Sequence, residues 1–178
     1  MTTVTPSAGT PTPPPHRMLV DTNVLLRAAD SASAEHATAH AAVAAQLAAK
    51  SELCITPQNL VEFWAVATRP LAVNGLGWTA AQAATEVQAL RAAFTLIPDS
   101  PDVFPQWQRL AVQYGVQGKQ AHDCRLVAFM LVHGITHLLT FNAPHFRRYE
   151  ASEGIVVMAP ASVLAALGDG KVAQASSL

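Results

Sequence analysis

Three carboxylates, Asp21, Glu62 and Asp123, each fall where the sequence ends a strand or begins a helix. Asp21 follows the apolar residues Met18, Leu19 and Val20 and precedes Thr22 and Asn23. That order reads as a short buried strand ending in an acid, then a helix carrying Val24, Leu25, Leu26 and Ala28 whose first turn starts at the acid. In open α/β sheets, chemistry sits outside the carboxyl ends of strands, so Asp21 is a candidate metal ligand. Asp is equally an ordinary helix N-cap, and at this position the two readings compete on even terms. Glu62 lies inside the apolar segment LVEFW, on the inward side of its helix. An ionised Glu embedded there has to be paired or metal-bound, because burying it alone is costly. Asp123 falls in the first turn of the helix written HDCRLVAFMLVHG, where the helix dipole favours an anion.

Thr140 ends the fourth expected strand, HLLT, and Asn142 follows it closely. Three carboxylates and an amide at one rim make an all-oxygen donor set, which suits Mg²⁺ or Mn²⁺ rather than zinc. Acids gathered so closely repel one another and call for a cation. A hard divalent ion in such a place can activate water and stabilise in-line displacement at a phosphodiester. The residues alone therefore point to a divalent-metal phosphodiesterase.

Short apolar strands alternating with helices must position these groups. Strands are expected at residues 18–20, 53–55, 95–98, 137–140 and 155–158. Helices are expected after Asp21, over 33–50 with Ser33 as N-cap, and from Thr56-Pro57 to the residue before Arg69-Pro70. Further helices run from Thr79 to Phe94, from 99–101 to Tyr114, and from about His122 to His133, with a last one opening at Pro160. Residues 71–78, LAVNGLGW, form a loop with an Asn-Gly turn signal. This alternation means a parallel five-stranded sheet with helices on both faces.

Composition bounds the alternatives. With 178 residues, 51% hydrophobic and 13% charged, the chain suits one well-buried domain. Residues 1–16 read as a disordered Pro/Thr-rich tail, 17–168 as the domain and 169–178 as a frayed end. A net charge of −1 provides no global basic field, so any nucleic-acid site must be a local patch. Cys54 and Cys124 read as buried thiols of a reducing compartment. No run is long and apolar enough to span a membrane, and the N-terminus lacks a signal-peptide core. The expected location is the cytoplasm.

The motifs LVDTNVLL at 19–26, LVEFWAVATRP at 60–70, YGVQGKQAHDCRLVAFMLVHGITHLLTFN at 114–142 and HFRRY at 145–149 together resemble a PIN-domain ribonuclease, closest to the VapC-type toxins of bacterial toxin–antitoxin pairs. The resemblance runs from Met18 to about Leu164. It implies a flavodoxin-like parallel sheet and Mg²⁺- or Mn²⁺-dependent endoribonuclease activity on RNA. It further implies a small antitoxin partner and a homodimer. By the same resemblance Asp21, Glu62 and Asp123 are metal ligands, Thr22, Asn23 and Thr140 support them, and Asn142 takes the place of a fourth acid. Related sequences tend to carry Asp where this chain has His145, which leaves three carboxylates and predicts one well-held ion.

Other residues carry competing readings. Lys119, Arg125, Arg147 and Arg148 read evenly as phosphate contacts or solvated surface, and His145 as a phosphate-side group. His122 could contact phosphate or serve the helix start. His36 and His40 read as a solvated helix face, and Asp99 and Asp102 as helix-start residues. Phe63, Trp64 and Trp107 are expected in the core or between subunits, with the Trp64 helix and the 71–78 loop as the expected partner contact. The competing function is a catalytically weak RNA-binding or interaction module on the same fold, kept open by Asn142 and His145. A receiver- or phosphatase-type phosphoryl-transfer domain needs an acidic pair that LVDTN does not offer.

Overall fold

Val20 and Leu139 pair at the ends of two neighbouring parallel strands, and that pairing fixes where the functional residues gather. A computed structural model describes residues 16–166; the expected tail up to residue 15 and the expected frayed end lie outside them. The strands are β1 (Arg17–Val20), β2 (Glu52–Ile55), β3 (Thr95–Leu96), β4 (His137–Leu139) and β5 (Val156–Met158). All are parallel, in the order β3-β2-β1-β4-β5. The chain winds outward from β1 to β3, then returns to β4 on the other side of β1. The topological switch therefore lies between β1 and β4, where an open parallel sheet leaves a crevice at its carboxyl edge.

Alternation along the strands builds a core on each face. Leu19, Cys54 and Leu138 point into one cluster with Leu126, Phe129 and Tyr149. Met18, Val20, Leu53, Ile55 and Leu139 point into the other, with Leu25, Phe63 and Leu90. The helices are α1 (Thr22–Ala29), α2 (His36–Ala48), α3 (Pro57–Ala67), α4 (Ala80–Ala93), α5 (Val103–Gln113) and α6 (Gln120–Val132). Short helices α7 (Ala143–Phe146) and α8 (Glu150–Glu153) precede β5, and residues 160–166 are helical. Both cysteines are buried free thiols. Among the described residues no helix is long and apolar enough to cross a membrane.

Where start signals were strong, the boundaries match them. Thr56 accepts from the Asn59 amide and Thr79 from the Gln82 amide, and each partner side chain bonds back to form a capping box. Elsewhere the structure corrects the expectation. α2 begins at His36, not Ser33, because the Ser33 hydroxyl closes a turn onto the Glu35 amide. α5 begins at Val103, and Asp99 pairs with Arg125 at 2.9 Å instead of capping a helix. His36 and His40 are not merely solvated. Their rings reach the Arg27 and Ala28 carbonyls at 3.2 and 2.9 Å, supplying partners to the carboxyl end of α1. α7 and α8 were not foreseen, since the run from Pro144 to Glu153 has no helical apolar period.

Candidate active site

Asp21 occupies the N-cap position of α1 but makes no side-chain cap bond. Its carboxylate turns toward β4 instead. Oδ2 accepts from the Thr140 hydroxyl at 2.7 Å and from the Asn23 side-chain amide at 2.6 Å. The Asn23 amide also reaches Thr140 Oγ1 at 3.1 Å, and Asn23 Oδ1 accepts from the Phe141 backbone at 3.0 Å. The capping alternative therefore does not describe Asp21. It is 6% exposed. Burial raises its pKa from 3.8 to about 6; the Thr140 hydroxyl opposes the rise, and the charges of Asp123 and Glu62 add to it.

Glu62 is held by a relay that begins at the start of α3. Thr56 N–H donates to Asn59 Oδ1 at 2.8 Å, and the Asn59 amide donates to Thr22 Oγ1 at 3.1 Å. The Thr22 hydroxyl donates to Glu62 Oε2 at 2.9 Å, while Gln58 donates to Oε1 at 2.8 Å. Phe63 takes the buried position of the LVEFW segment, and Glu62, 29% exposed, faces the rim. The inward placement expected for Glu62 is thus corrected to the edge of the sheet, with its oxygens held from both sides. Asn59, fully buried, was missed by sequence reasoning. Its signal was available in the Thr-Pro-x-Asn start, which reads as a capping box but does not reveal the second bond to Thr22.

Asp123 lies in the first turn of α6. Burial raises its pKa most, the His145 bond opposes that, and Glu62 adds to it. His145 Nδ1 stands 3.1 Å from Asp123 Oδ2, so this imidazole faces the carboxylate rim. His122 Nδ1 is 3.5 Å from Glu62 Oε1. The Asn142 backbone N–H donates to Thr140 Oγ1 at 2.9 Å, and Asn142 lines the same opening.

Asp21, Thr22, Asn23, Glu62, Asp123 and Asn142 line one cleft of about 540 Å³ at the carboxyl edge of the sheet. Among the described residues, no three of His, Cys, Asp and Glu are drawn together closely enough to enclose a metal ion by themselves. The carboxylates instead border an open cleft, in which Asp21 is buried beside two further acids. That donor set fits a hard divalent cation that keeps part of its water shell.

Cations flank the cleft unevenly. Lys119 lines it, as does Arg69, which sequence reasoning passed over as a helix-end residue. A second cavity of about 250 Å³ adjoins the cleft through Lys119 and Asp123 and is completed by Gln120, Pro144, His145 and Arg148. Arg125 lines neither cavity and is held by Gln58 and Asp99, each at 2.9 Å. Arg147 also lines neither.

Known proteins resemble this chain in family and fold. The family model described as PIN domain matches residues 18–151. No curated protein sequence matches the chain. Among solved structures, VapC20 of Mycobacterium tuberculosis, described as a Sarcin-Ricin loop cleaving toxin, is 19% identical with a TM-score of 0.57, over 78% of this chain and 96% of that one. VapBC-1 of nontypeable Haemophilus influenzae is 12% identical with a TM-score of 0.59, over 82% and 98%. VapBC2 of Rickettsia felis, bound to a DNA fragment from its promoter, is 15% identical with a TM-score of 0.58, over 80% and 98%.

Proposed function

The chain belongs to the PIN domain family, and from that premise we propose that it is a divalent-metal-dependent endoribonuclease, the toxin of a type II toxin–antitoxin pair. The observation that carries this reading is the buried Asp21, flanked by Glu62 and Asp123 in one open cleft and raised to a pKa of about 6. A carboxyl so strained toward neutrality gains most from a cation, which lets all three acids ionise together. When bound, Mg²⁺ or Mn²⁺ supplies Lewis acidity toward the phosphodiester and lowers the pKa of water.

The protein's own residues hold and orient. Asp21, Glu62 and Asp123 are the ligands in this reading. Thr140 and Asn23 fix Asp21 Oδ2, while Thr22 and Gln58 fix the Glu62 oxygens. Asn142 can add an amide oxygen but no charge, so we assign one well-held ion. No side-chain nucleophile is required.

Similar folds occur in toxin–antitoxin complexes such as VapBC-1 and VapBC2. An antitoxin partner and a homodimer are accordingly part of the proposal. Their support here is the apolar surface of α3 and the following loop: Val61, Trp64, Leu71 and Val73 are exposed, and Leu60, Val61, Trp64 and Val87 line a groove of about 300 Å³. One observation favours the alternative of a catalytically weak RNA-binding module: His145, where related sequences tend to carry Asp, stands against Asp123.

The test is cleavage of a single-stranded fluorogenic RNA by the full chain. EDTA should abolish it and Mn²⁺ or Mg²⁺ should restore it. Asp21→Asn and Asp123→Asn should each lose most activity while remaining folded. Undiminished cleavage by both variants would sink the assignment.

A further inference from the structure

Resting on the endoribonuclease reading, we infer that the RNA backbone crosses the cleft on a defined track, from Arg69 at the end of α3, over the carboxylate rim, to a phosphate pocket formed by Lys119 and Arg148. Arg69 and Lys119 both line the cleft that holds Asp21, Glu62 and Asp123. Lys119 also lines the adjoining cavity with Arg148, so the two cavities share one lysine and one carboxylate, Asp123.

Compensation separates these cations from Arg27, Arg109 and Arg125, and position separates them from Lys50, Arg91 and Arg147, which line neither cavity. Arg125 spends its charge on Asp99 at 2.9 Å, and Arg27 lies 3.3 Å from Glu35. Arg109 is paired with Glu153 at 2.7 Å. Arg148 is also held in place, but by neutral partners only. Its guanidinium donates to the Tyr149 hydroxyl at 3.0 Å and to Gln120 Oε1 at 3.4 Å, and lies over the Tyr149 ring at 4.9 Å. Its charge is therefore positioned and unspent. Among the described residues, the side chains of Arg69 and Lys119 take part in no ion pair. An acidic rim repels a polyanion, so uncompensated cations lining the cleft beside it are what a phosphate chain needs in order to enter.

The loop after α3 fixes the Arg69 end of the track. Leu76, Gly77 and Trp78 donate their backbone amides to the carbonyls of Val66, Arg69 and Ala67 at 3.1, 2.8 and 2.9 Å. These bonds satisfy carbonyls that the helix end leaves open. The closure needs Gly75, where a Cβ would fall 2.0 Å from the Arg69 carbonyl oxygen. The Asn-Gly turn thus holds Arg69 against the mouth of the cleft.

The test is binding of a 2′-O-methyl oligoribonucleotide, which resists cleavage, to the full chain in Ca²⁺, read by fluorescence anisotropy over a range of salt. For single strands each phosphate contact contributes roughly 0.7 to the slope of log affinity against log salt. Arg69→Ala, Lys119→Ala and Arg148→Gln should each reduce that slope by about 0.7. Arg147→Ala, outside both cavities, should leave it unchanged. Melting curves establish that each variant is folded, and an unfolded Arg148→Gln leaves Arg69→Ala as the deciding variant. Unchanged slopes in Arg69→Ala and Lys119→Ala, or an equal loss in Arg147→Ala, would overturn the track. If the track variants behave as expected while the unmodified chain shows no metal-dependent cleavage, the endoribonuclease reading fails and the track stands. If the unmodified chain does not bind the oligoribonucleotide, both fall.

Discussion

The Thr140 hydroxyl donates to Asp21 Oδ2 at 2.7 Å, joining residues 119 positions apart in the chain at the ends of adjacent strands. Thr140 Oγ1 also accepts from the Asn142 backbone at 2.9 Å. One buried hydroxyl therefore aligns the acid after β1 and the segment after β4. Thr140→Val removes both bonds, and the 3.1 Å bond from the Asn23 side-chain amide, while keeping the shape. It should destabilise the protein by about 1–3 kcal/mol, since the buried Asp21 carboxylate loses a partner, and should weaken Mn²⁺ binding. Thr140→Ser should recover most of both losses. Thermal melting and calorimetric Mn²⁺ titration check this; an unaffected Val variant would show that the bond does no positioning.

Asp21 makes the metal-free protein sensitive to pH. Its folded pKa of about 6 lies above the ordinary 3.8, so folding favours the neutral acid. That stabilisation is complete below about pH 4 and is lost as pH rises through about 6, a span worth about 3 kcal/mol. The burial-raised Asp123 acts in the same direction. In EDTA, stability should therefore fall over this window. Saturating Mn²⁺, which needs the ionised acids, should raise the melting temperature more at pH 8 than at pH 5. Equal shifts at the two pH values would contradict this.

Asp21→Asn follows from the same cost. Without metal at neutral pH, removing the buried charge should leave the protein as stable as the unmodified chain or more so, by up to about 3 kcal/mol, while the stabilisation by Mn²⁺ is lost. Paired melts in EDTA and in Mn²⁺ decide it. A variant less stable in EDTA would mean that Asp21 is primarily a structural acceptor.

Asn59 should matter beyond its cap. Asn59→Ala cuts the relay from Thr56 to Glu62, so it should cost about 1–3 kcal/mol and lower kcat with little change in KM. A purely structural role predicts the same stability loss with kcat intact, which steady-state kinetics below the melting range can distinguish.

Asn142→Asp adds the charge the cleft lacks and should tighten Mn²⁺ binding, with one ion bound in the unmodified protein. Two tight sites in the unmodified chain, seen by calorimetry, would show that Asn142 and His145 have been given the wrong parts.

Elements with local signals were legible. The strand-acid-helix run at Asp21 and the Thr-Pro start of α3 are written in adjacent residues, and five strands alternating with helices leave little topological choice. Legibility failed where the determinant was a distant partner. Arg125 reads as a free cation until Asp99 is brought to it, and His36 and His40 read as solvated until the end of α1 reaches them. Arg69 drew no attention because its role depends on a loop folding back through Gly75. Asp21 was ambiguous for the same reason, since only the position of Thr140 separates a cap from a cleft carboxylate.

The most direct measurement sets RNA cleavage rate and Mn²⁺ occupancy of the full chain on one concentration axis. The account predicts coincident midpoints, no cleavage in EDTA, and loss of both curves in Glu62→Gln. Cleavage that persists in EDTA, or Mn²⁺ binding that Glu62→Gln leaves intact, would contradict it.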